Sequence, residues 1–275
     1  MMKYKTNNSV SDNLVVSAHQ PNFLPYLGFF DKMMKSDIFV IRDEVLYIKK
    51  EFHNRNRIRI NGNDPKNPQY KWITVPVHEQ NDYIRHIKIK KDAKDKNIPW
   101  NEKILKDIKV NYSRTPYFSK YFPEIDKIFR KNHDNLLDLN MELINFLTEK
   151  FEIRTKIILA SELKLKPAHY EKSDASQDLA DICKALGAKT YLSGDGGRVY
   201  FSKIPFEKSC VRIEFQNYKH PEYKQAFHGF LPYMSALDAL FNIGKMPYSD
   251  NTDNITNLNP EKENKDVREI TITGY

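Results

Sequence analysis

The stretch Ser17 to Val40, SAHQPNFLPYLGFFDKMMKSDIFV, constrains the fold more than any other part of the chain. Leu14-Val15-Val16 precede it, a short apolar run of the kind that makes a buried strand. His19, Gln20 and Asn22 then fall where that strand should end, in a turn punctuated by Pro21 and Pro25. Phe23, Leu27, Phe30 and Met34 recur at helical spacing, which predicts a helix from Phe23 to Met34. Asp37 and Ile38-Phe39-Val40-Ile41 read as the next strand. Strand, polar turn, helix and strand within about thirty residues make one βαβ unit, with a right-handed crossover. Ligands of such units sit at the carboxyl ends of the strands, and His19, Gln20 and Asn22 are there. The same HQPN turn also describes a capped helix start with Asn22 as N-cap. A cap alone, however, needs neither an imidazole nor a side-chain amide just before it, and these two groups offer a polar ligand donors and acceptors.

The rest of the chain alternates between strand and helix patterns. Arg42 to Lys50 continues from the second strand, with Asp43 and Glu44 at its end. Paired carboxylates there can hold a divalent metal or act as a base, or can pair with Arg55 or Arg57. FHNRNRIRI, Phe52 to Ile60, alternates like a strand and puts Arg55 and Arg57 on one face, an arrangement suited to phosphate or carboxylate. A turn cluster from Asn61 to Pro68 leads to a second strand, Tyr70 to Val77, with a third expected over Ile84 to Ile89. From Pro99 three helices follow in series, the second over Tyr117 to Arg130 and the third over Leu136 to Phe151. Thr155 to Leu159 returns as a strand, and Ala175 to Leu186 as a helix closed by Gly187.

A second informative turn follows the strand Thr190-Tyr191-Leu192. It reads Ser193-Gly194-Asp195-Gly196-Gly197-Arg198, and its glycines let the backbone approach a ligand closely. It is expected to open a helix, with Arg198 on the first turn facing a phosphate. A strand over Cys210 to Phe215, an aromatic stretch with His220 and Tyr223, and a helix over Ser235 to Asn242 complete the ordered part. Ser235 reads as the N-cap of that helix, with Asp238 at the capping-box position. The expected organisation is one α/β domain over 1–245, with an antiparallel insertion about 52–90 and a helical segment about 98–151. Residues 246–275 read as a polar tail.

Composition removes several function classes. Lys and Arg number 44 against 36 Asp and Glu, a net charge of +8. The charges are interspersed, as in Lys90 to Lys96, and lack the aromatic-and-basic alternation of a nucleic-acid surface. The partners expected are therefore small molecules rather than sequence-specific nucleic acid. No apolar run is long enough for a bilayer, so a cytoplasmic protein without membrane insertion is expected. Two cysteines, Cys183 and Cys210, make neither a disulfide framework nor a zinc cluster. His53, His78 and His86 are too scattered for a metal site.

HQPNFLPYLGFFDK closely resembles the opening signature of the WbqC-like protein family, and other segments fit the same family in order. They include Asp43-Glu44-Val45 with Tyr47 and Lys49, Asn54 to Ile58, and Trp72 to Val77. Further on come Asn111-Tyr112, Pro116 to Phe118, Tyr191 to Gly194, His220-Pro221 with Tyr223, and Ser235 to Asp238 with Leu240 to Asn242. The resemblance spans Leu14 to about Lys245. It implies a role in bacterial surface-polysaccharide (O-antigen) biosynthesis, as a transferase that places glycine or another acyl group on an amino sugar. Asp195 and the extra glycines depart from the family's usual loop, which leaves the contacts of that turn open.

The spacing of the two turns is similar to the nucleotide-binding α/β fold of adenylate-forming and nucleotidyl-transfer enzymes with a His-x-x-His motif. His19 matches the first histidine, Asn22 stands where the second would be, and Ser193 and Arg198 approximate the late turn. This likeness implies ATP with Mg²⁺, the ion near Asp43. The candidate catalytic residues are His19, Asn22, Asp43 and Arg198. The candidate substrate-binding residues are Gln20, Tyr47, Lys49, Arg55, Arg57, Ser193, Gly194, Gly196, His220 and Tyr223. The expected reaction is amide formation on a nucleotide-linked amino sugar, with an adenylate, a thioester or charged tRNA as acyl donor. The alternatives are a non-catalytic nucleotide-sugar-binding or scaffold protein, and a plain nucleotidyltransferase.

Overall fold

A computed structural model describes residues 13–62, 68–78, 81–165, 175–199 and 201–247. The expected polar tail falls almost wholly outside these, as does most of the N-terminal segment before Asn13. The first βαβ unit forms as β1 (Val15–His19), α1 (Leu27–Met34) and β2 (Ile38–Ile41). Its helix starts four residues later than the apolar spacing predicts. The reason is tertiary: Phe23 N–H donates to the Phe52 carbonyl at 2.9 Å, and Asn56 Nδ2 donates to the carbonyls of Phe23 and Leu24. Leu24 has a φ of 45°. Backbone groups held this way cannot enter a helical ladder, so Asn22 is not a helix cap, and Tyr26 occupies that position.

The strands β1, β2, β7 (Lys156–Leu159), β8 (Thr190–Ser193) and β9 (Arg212–Phe215) form a five-stranded sheet in the order β7-β2-β1-β8-β9. Every pair in it is parallel. The chain builds outward from β1 through β2 to β7, then crosses to the other side of β1 for β8 and β9. The strand order therefore reverses between β1 and β8, and a crevice at their carboxyl ends is where doubly wound sheets bind ligands.

A parallel sheet of this kind is covered on both faces. Along β2, Phe39 and Ile41 face one cluster while Ile38 and Val40 face the other. The first cluster gathers α1 with the helices α2 (Trp100–Tyr112), α3 (Phe118–Arg130), α4 (Leu136–Lys150) and α7 (Leu237–Ile243). The second is formed by α5 (Ala175–Ala185) and the five-residue α6 (Ile204–Lys208), the latter not foreseen from the sequence. The antiparallel hairpin is present as β3 (Arg55–Ile60) and β4 (Gln69–Thr74), and β5 (Lys94–Asp95) with β6 (Ile98–Pro99) makes a minimal ribbon before α2.

The third strand expected over Ile84 to Ile89 is a 3-10 turn, Ile84–His86, joined to Val77 by one bridge at Ile89. The Asp82 carboxylate takes the Tyr83 N–H, and Ile84 N–H goes to Val45 rather than to a strand partner. The last helix begins at Leu237 with Ala236 as N-cap, although the Ser235 hydroxyl still accepts the Leu237 N–H at 3.3 Å.

Candidate active site

A cavity of about 810 Å³ opens at the carboxyl ends of β1, β2 and β8. That volume suits a nucleotide-sized ligand. Two sequence-distant turns meet across it: His19 and Gln20 after β1, and Ser193 to Gly197 after β8. The β2 side contributes Arg42 and Glu44, and α5 contributes Asp178 and Asp181.

The first turn is held rigidly from outside the sheet. Asn140 of α4 is fully buried and donates to the carbonyls of Pro21 (2.7 Å) and His53 (2.8 Å). His53 Nε2–H donates to Gln20 Oε1 at 2.7 Å, while its Nδ1 accepts the Ile48 N–H. The start of the hairpin insertion is thus a clamp on the HQPN bend. Gln20 keeps its side-chain Nε2 donors without a protein partner among the described residues.

His19 is fixed by its own bend, since Nδ1–H donates to the Gln20 carbonyl at 3.0 Å. The ring stacks edge-on against Phe29. That hydrogen bond sets the tautomer and leaves the Nε2 lone pair without a protein partner among the described residues. Burial, with the charge of Lys32 second, holds the imidazole down to about 3, so it is neutral at physiological pH.

Lys32 is the residue that the sequence reading missed. It lies on α1, is 4% exposed, and donates to the Ala18 carbonyl at 2.9 Å. Its Nζ reaches the cavity, and a Cβ built on Gly194 would sit 3.9 Å from it. Burial lowers its pKa from 10.5 to about 7. One signal was available: α1 is apolar at all but two positions, and a helix buried over most of its surface can bury its lone lysine too.

The glycine turn is a short 3-10 segment, Asp195–Val199, rather than the start of an α-helix. Gly197 has no room for a side chain, because a Cβ would come within 2.3 Å of Ser193 Oγ and 2.7 Å of Phe201. Ser193 is buried and donates its hydroxyl to the Gly194 carbonyl at 2.8 Å. Asp195 also lines the cavity, and its carboxylate accepts the N–H groups of Asn217 and Tyr218.

Of the predicted residues, His19, Gln20, Ser193, Gly194 and Gly196 line the cavity. The others are placed elsewhere among the described residues. Arg198 faces away: its guanidinium lies 4.1 Å over the Phe215 ring and pairs with Asp195 and Asn217. Asn22 is buried outside the cavity wall. Asp43 is also buried, and its Oδ1 accepts the Ser161 N–H at 3.0 Å. Its expected partners Arg55 and Arg57 stack instead on Trp72 of the hairpin, and Arg57 donates to the Tyr233 carbonyl. Glu44 pairs with Arg42, which also binds Asp178 at 3.2 Å. Tyr47 packs its ring on His53, and Lys49 is exposed. His220 sits in an aromatic group with Tyr218, Tyr223, Phe230 and Tyr233, and Tyr223 donates to Asp238.

The metal expectation finds little support in these groups. Among the described residues no three His, Cys, Asp or Glu side chains stand together, and Asp43 is committed to a backbone amide. The residues present do not fit Mg²⁺ at Asp43, and no step below is routed through a metal.

The family model of the WbqC-like protein family matches residues 20–249, from the HQPN bend through the last helix. The chain belongs to the WbqC-like protein family. This WbqC-like chain is also 30% identical over 231 residues to "Uncharacterized protein Rv1507c" of Mycobacterium tuberculosis (strain ATCC 25618 / H37Rv). That alignment covers 83% of the chain and 94% of the relative. No solved structure matches it. Among the described residues, no helix of this WbqC-like chain is long and apolar enough to cross a membrane.

Proposed function

We propose that the cavity is the active site of a transferase of bacterial surface-polysaccharide biosynthesis. It joins an acyl or aminoacyl group, glycyl in the leading case, to the amine of a nucleotide-linked amino sugar. The observation that carries this reading is the His19 imidazole: neutral, tautomer fixed, its Nε2 lone pair open to a nucleotide-sized cavity at the switch point of the sheet.

The sugar amine attacks the activated carbonyl, a C–N bond forms, and the bond to the leaving group breaks. The nitrogen sheds its proton as the amide forms, and His19 Nε2 takes it and passes it to the leaving group or to solvent. The low pKa comes from burial and the neighbouring Lys32 charge. Phosphates beside the ring favour the imidazolium and raise it toward neutrality. Gln20 Nε2, which has no protein partner among the described residues, is placed to donate to the carbonyl oxygen as charge develops there. The Arg42–Asp178 pair and Asp181 on the opposite wall suit the hydroxyls and ammonium of an amino sugar.

The test incubates purified protein with a UDP- or dTDP-amino sugar, glycine and ATP. Amide-linked product of one added glycyl residue is expected, and its loss in His19→Ala with the fold retained. Absence of product with ATP, a glycyl thioester and glycyl-tRNA each supplied in turn sinks the reading. A scaffold would bind the nucleotide sugar without turnover, equally in both proteins.

A further inference from the structure

Lys32 stands out among the charged groups of the molecule. It is 4% exposed, and the only hydrogen bond of its ammonium among the described residues is to the Ala18 carbonyl at 2.9 Å. The Phe39 ring lies 5.8 Å away and offers only a weak cation–π contact. Among the described residues no carboxylate reaches it. The neighbouring acid on α1, Asp31, is engaged by Lys35 at 2.9 Å and by Gln216 at 2.7 Å. Asp195 on the glycine turn is taken by two backbone amides and Arg198. The other titratable and charged groups lining the cavity include His19, Tyr26, Arg42, Glu44, Arg85, Asp178 and Asp181. Their carboxylates are engaged by other groups, Glu44 and Asp178 by Arg42 and Asp181 by Gln177. An isolated buried ammonium is costly unless something pairs with it.

We infer that Lys32 is the anion-reading residue of the cavity, and that the charge completing it is a phosphate of a nucleoside diphosphate or another diphosphate ester laid across the glycine turn. Its Nζ faces Gly194, where the missing side chain leaves room for the phosphate to approach. This inference rests on the cavity being a ligand site and does not depend on the amide chemistry. It has a consequence for protons. The free ammonium is disfavoured by burial, with a pKa lowered to about 7. An anion in contact with it reverses that preference, so binding at pH 8 should load about one proton onto the protein.

Calorimetric titrations of UDP, inorganic pyrophosphate and ATP at pH 8, in buffers of unlike ionisation enthalpy, measure affinity and proton uptake together. The parent should bind a diphosphate with uptake of about one proton. Lys32→Met should lose at least about tenfold in affinity and all of the uptake. Lys32→Arg should regain part of the affinity without uptake, because guanidinium is charged at every working pH. A thermal melt of Lys32→Met checks that it folds, which removal of an unpaired buried charge should not impair. Unchanged affinity in Lys32→Met overturns the inference, as does uptake that persists in Lys32→Arg, or no binding of any diphosphate by the parent. UDP binding that depends on Lys32 without glycyl transfer would leave the inference standing and remove the reaction. Transfer with UDP affinity indifferent to Lys32 would do the reverse. Preference for UDP over pyrophosphate assigns the ligand to the nucleotide class, and equal affinity assigns it to diphosphates at large.

Discussion

Asp238 and Lys32 are both deeply buried ionisable groups, and they are treated in opposite ways. Asp238 at the start of α7 is fully enclosed and fully partnered. Its carboxylate accepts from the hydroxyls of Tyr112 (2.8 Å) and Tyr223 (2.7 Å) and from Gln225 Nε2 (2.9 Å), with the Arg59 charge close enough to favour it. Burial still raises its pKa, and the hydrogen bonds only offset part of that. Arg59 in turn donates through its two terminal nitrogens to the carbonyls of Gln69, His228 and Gly229. Lys32, as deeply buried, has one carbonyl. A buried charge that the protein completes by itself ties segments together. A buried charge left incomplete beside a cavity is set for something that arrives.

The largest expected effects should separate the two regions cleanly. Asp238→Ala leaves two tyrosine hydroxyls and an amide facing a hole, and should cost about 3–5 kcal/mol of stability, read as the shift in urea midpoint. His19→Ala should leave that midpoint nearly unchanged while lowering the transfer rate about 10²–10⁴-fold. If Asp238→Ala is as stable as the parent, the hub reading fails. If His19→Ala retains full rate, the base assignment fails.

Lys32→Met sharpens the contrast with the opposite sign, since it should stabilise the fold. The folded pKa of about 7 lies below the ordinary value of 10.5. Between those limits the unfolded chain holds a proton that the native state has lost, so native stability rises with pH across that window. The cost is fully present below about pH 7. Lys32→Met should abolish this rise and gain about 1–4 kcal/mol at pH 7, measured by urea unfolding over pH 7 to 10. A parent slope that survives in the variant would contradict the burial of the charge.

His19 and His53 carry a smaller acid counterpart. Burial holds them down to about 3 and about 4, below the ordinary 6.5. From pH 6.5 toward 4 the unfolded chain takes protons that the native imidazoles refuse, so stability should fall as pH drops through that window. His53→Asn should flatten the fall. Smaller again is Tyr112→Phe, which removes one donor from Asp238 and also the acceptor of the Arg59 N–H, for about 1–2 kcal/mol. The smallest is Arg198→Ala. Its pair with Asp195 is half exposed, so the change should cost under about 0.5 kcal/mol and leave diphosphate affinity unchanged. A large loss of affinity there would restore the phosphate role that the sequence suggested.

The two bends were legible in the sequence because each marks the end of an apolar run. His19 and Gln20 follow β1, and Ser193-Gly194 close β8, as a strand-to-turn boundary requires. Arg55 and Arg57 were legible as one face of a strand, but periodicity says nothing of what that face meets. It meets Trp72 across the hairpin. Arg198 was placed on a helix that does not form, and the 3-10 geometry turns it to Phe215. Asp238 looked like a capping-box acid, because its donors Tyr112 and Tyr223 stand 126 and 15 residues away.

The sequence by itself determined the local elements: parallel strands broken by polar bends, a hairpin, and a run of amphipathic helices. Those follow from periodicity and turn chemistry, which act over a few residues. Tertiary structure alone decided that β8 lies beside β1, so that the imidazole bend and the glycine bend share one cavity. It also decided which charges find partners, leaving Asp238 satisfied and Lys32 waiting. The physical reason is that hydrogen bonds and ion pairs between segments far apart in sequence leave no periodic trace, and only the packed chain brings their two halves within reach.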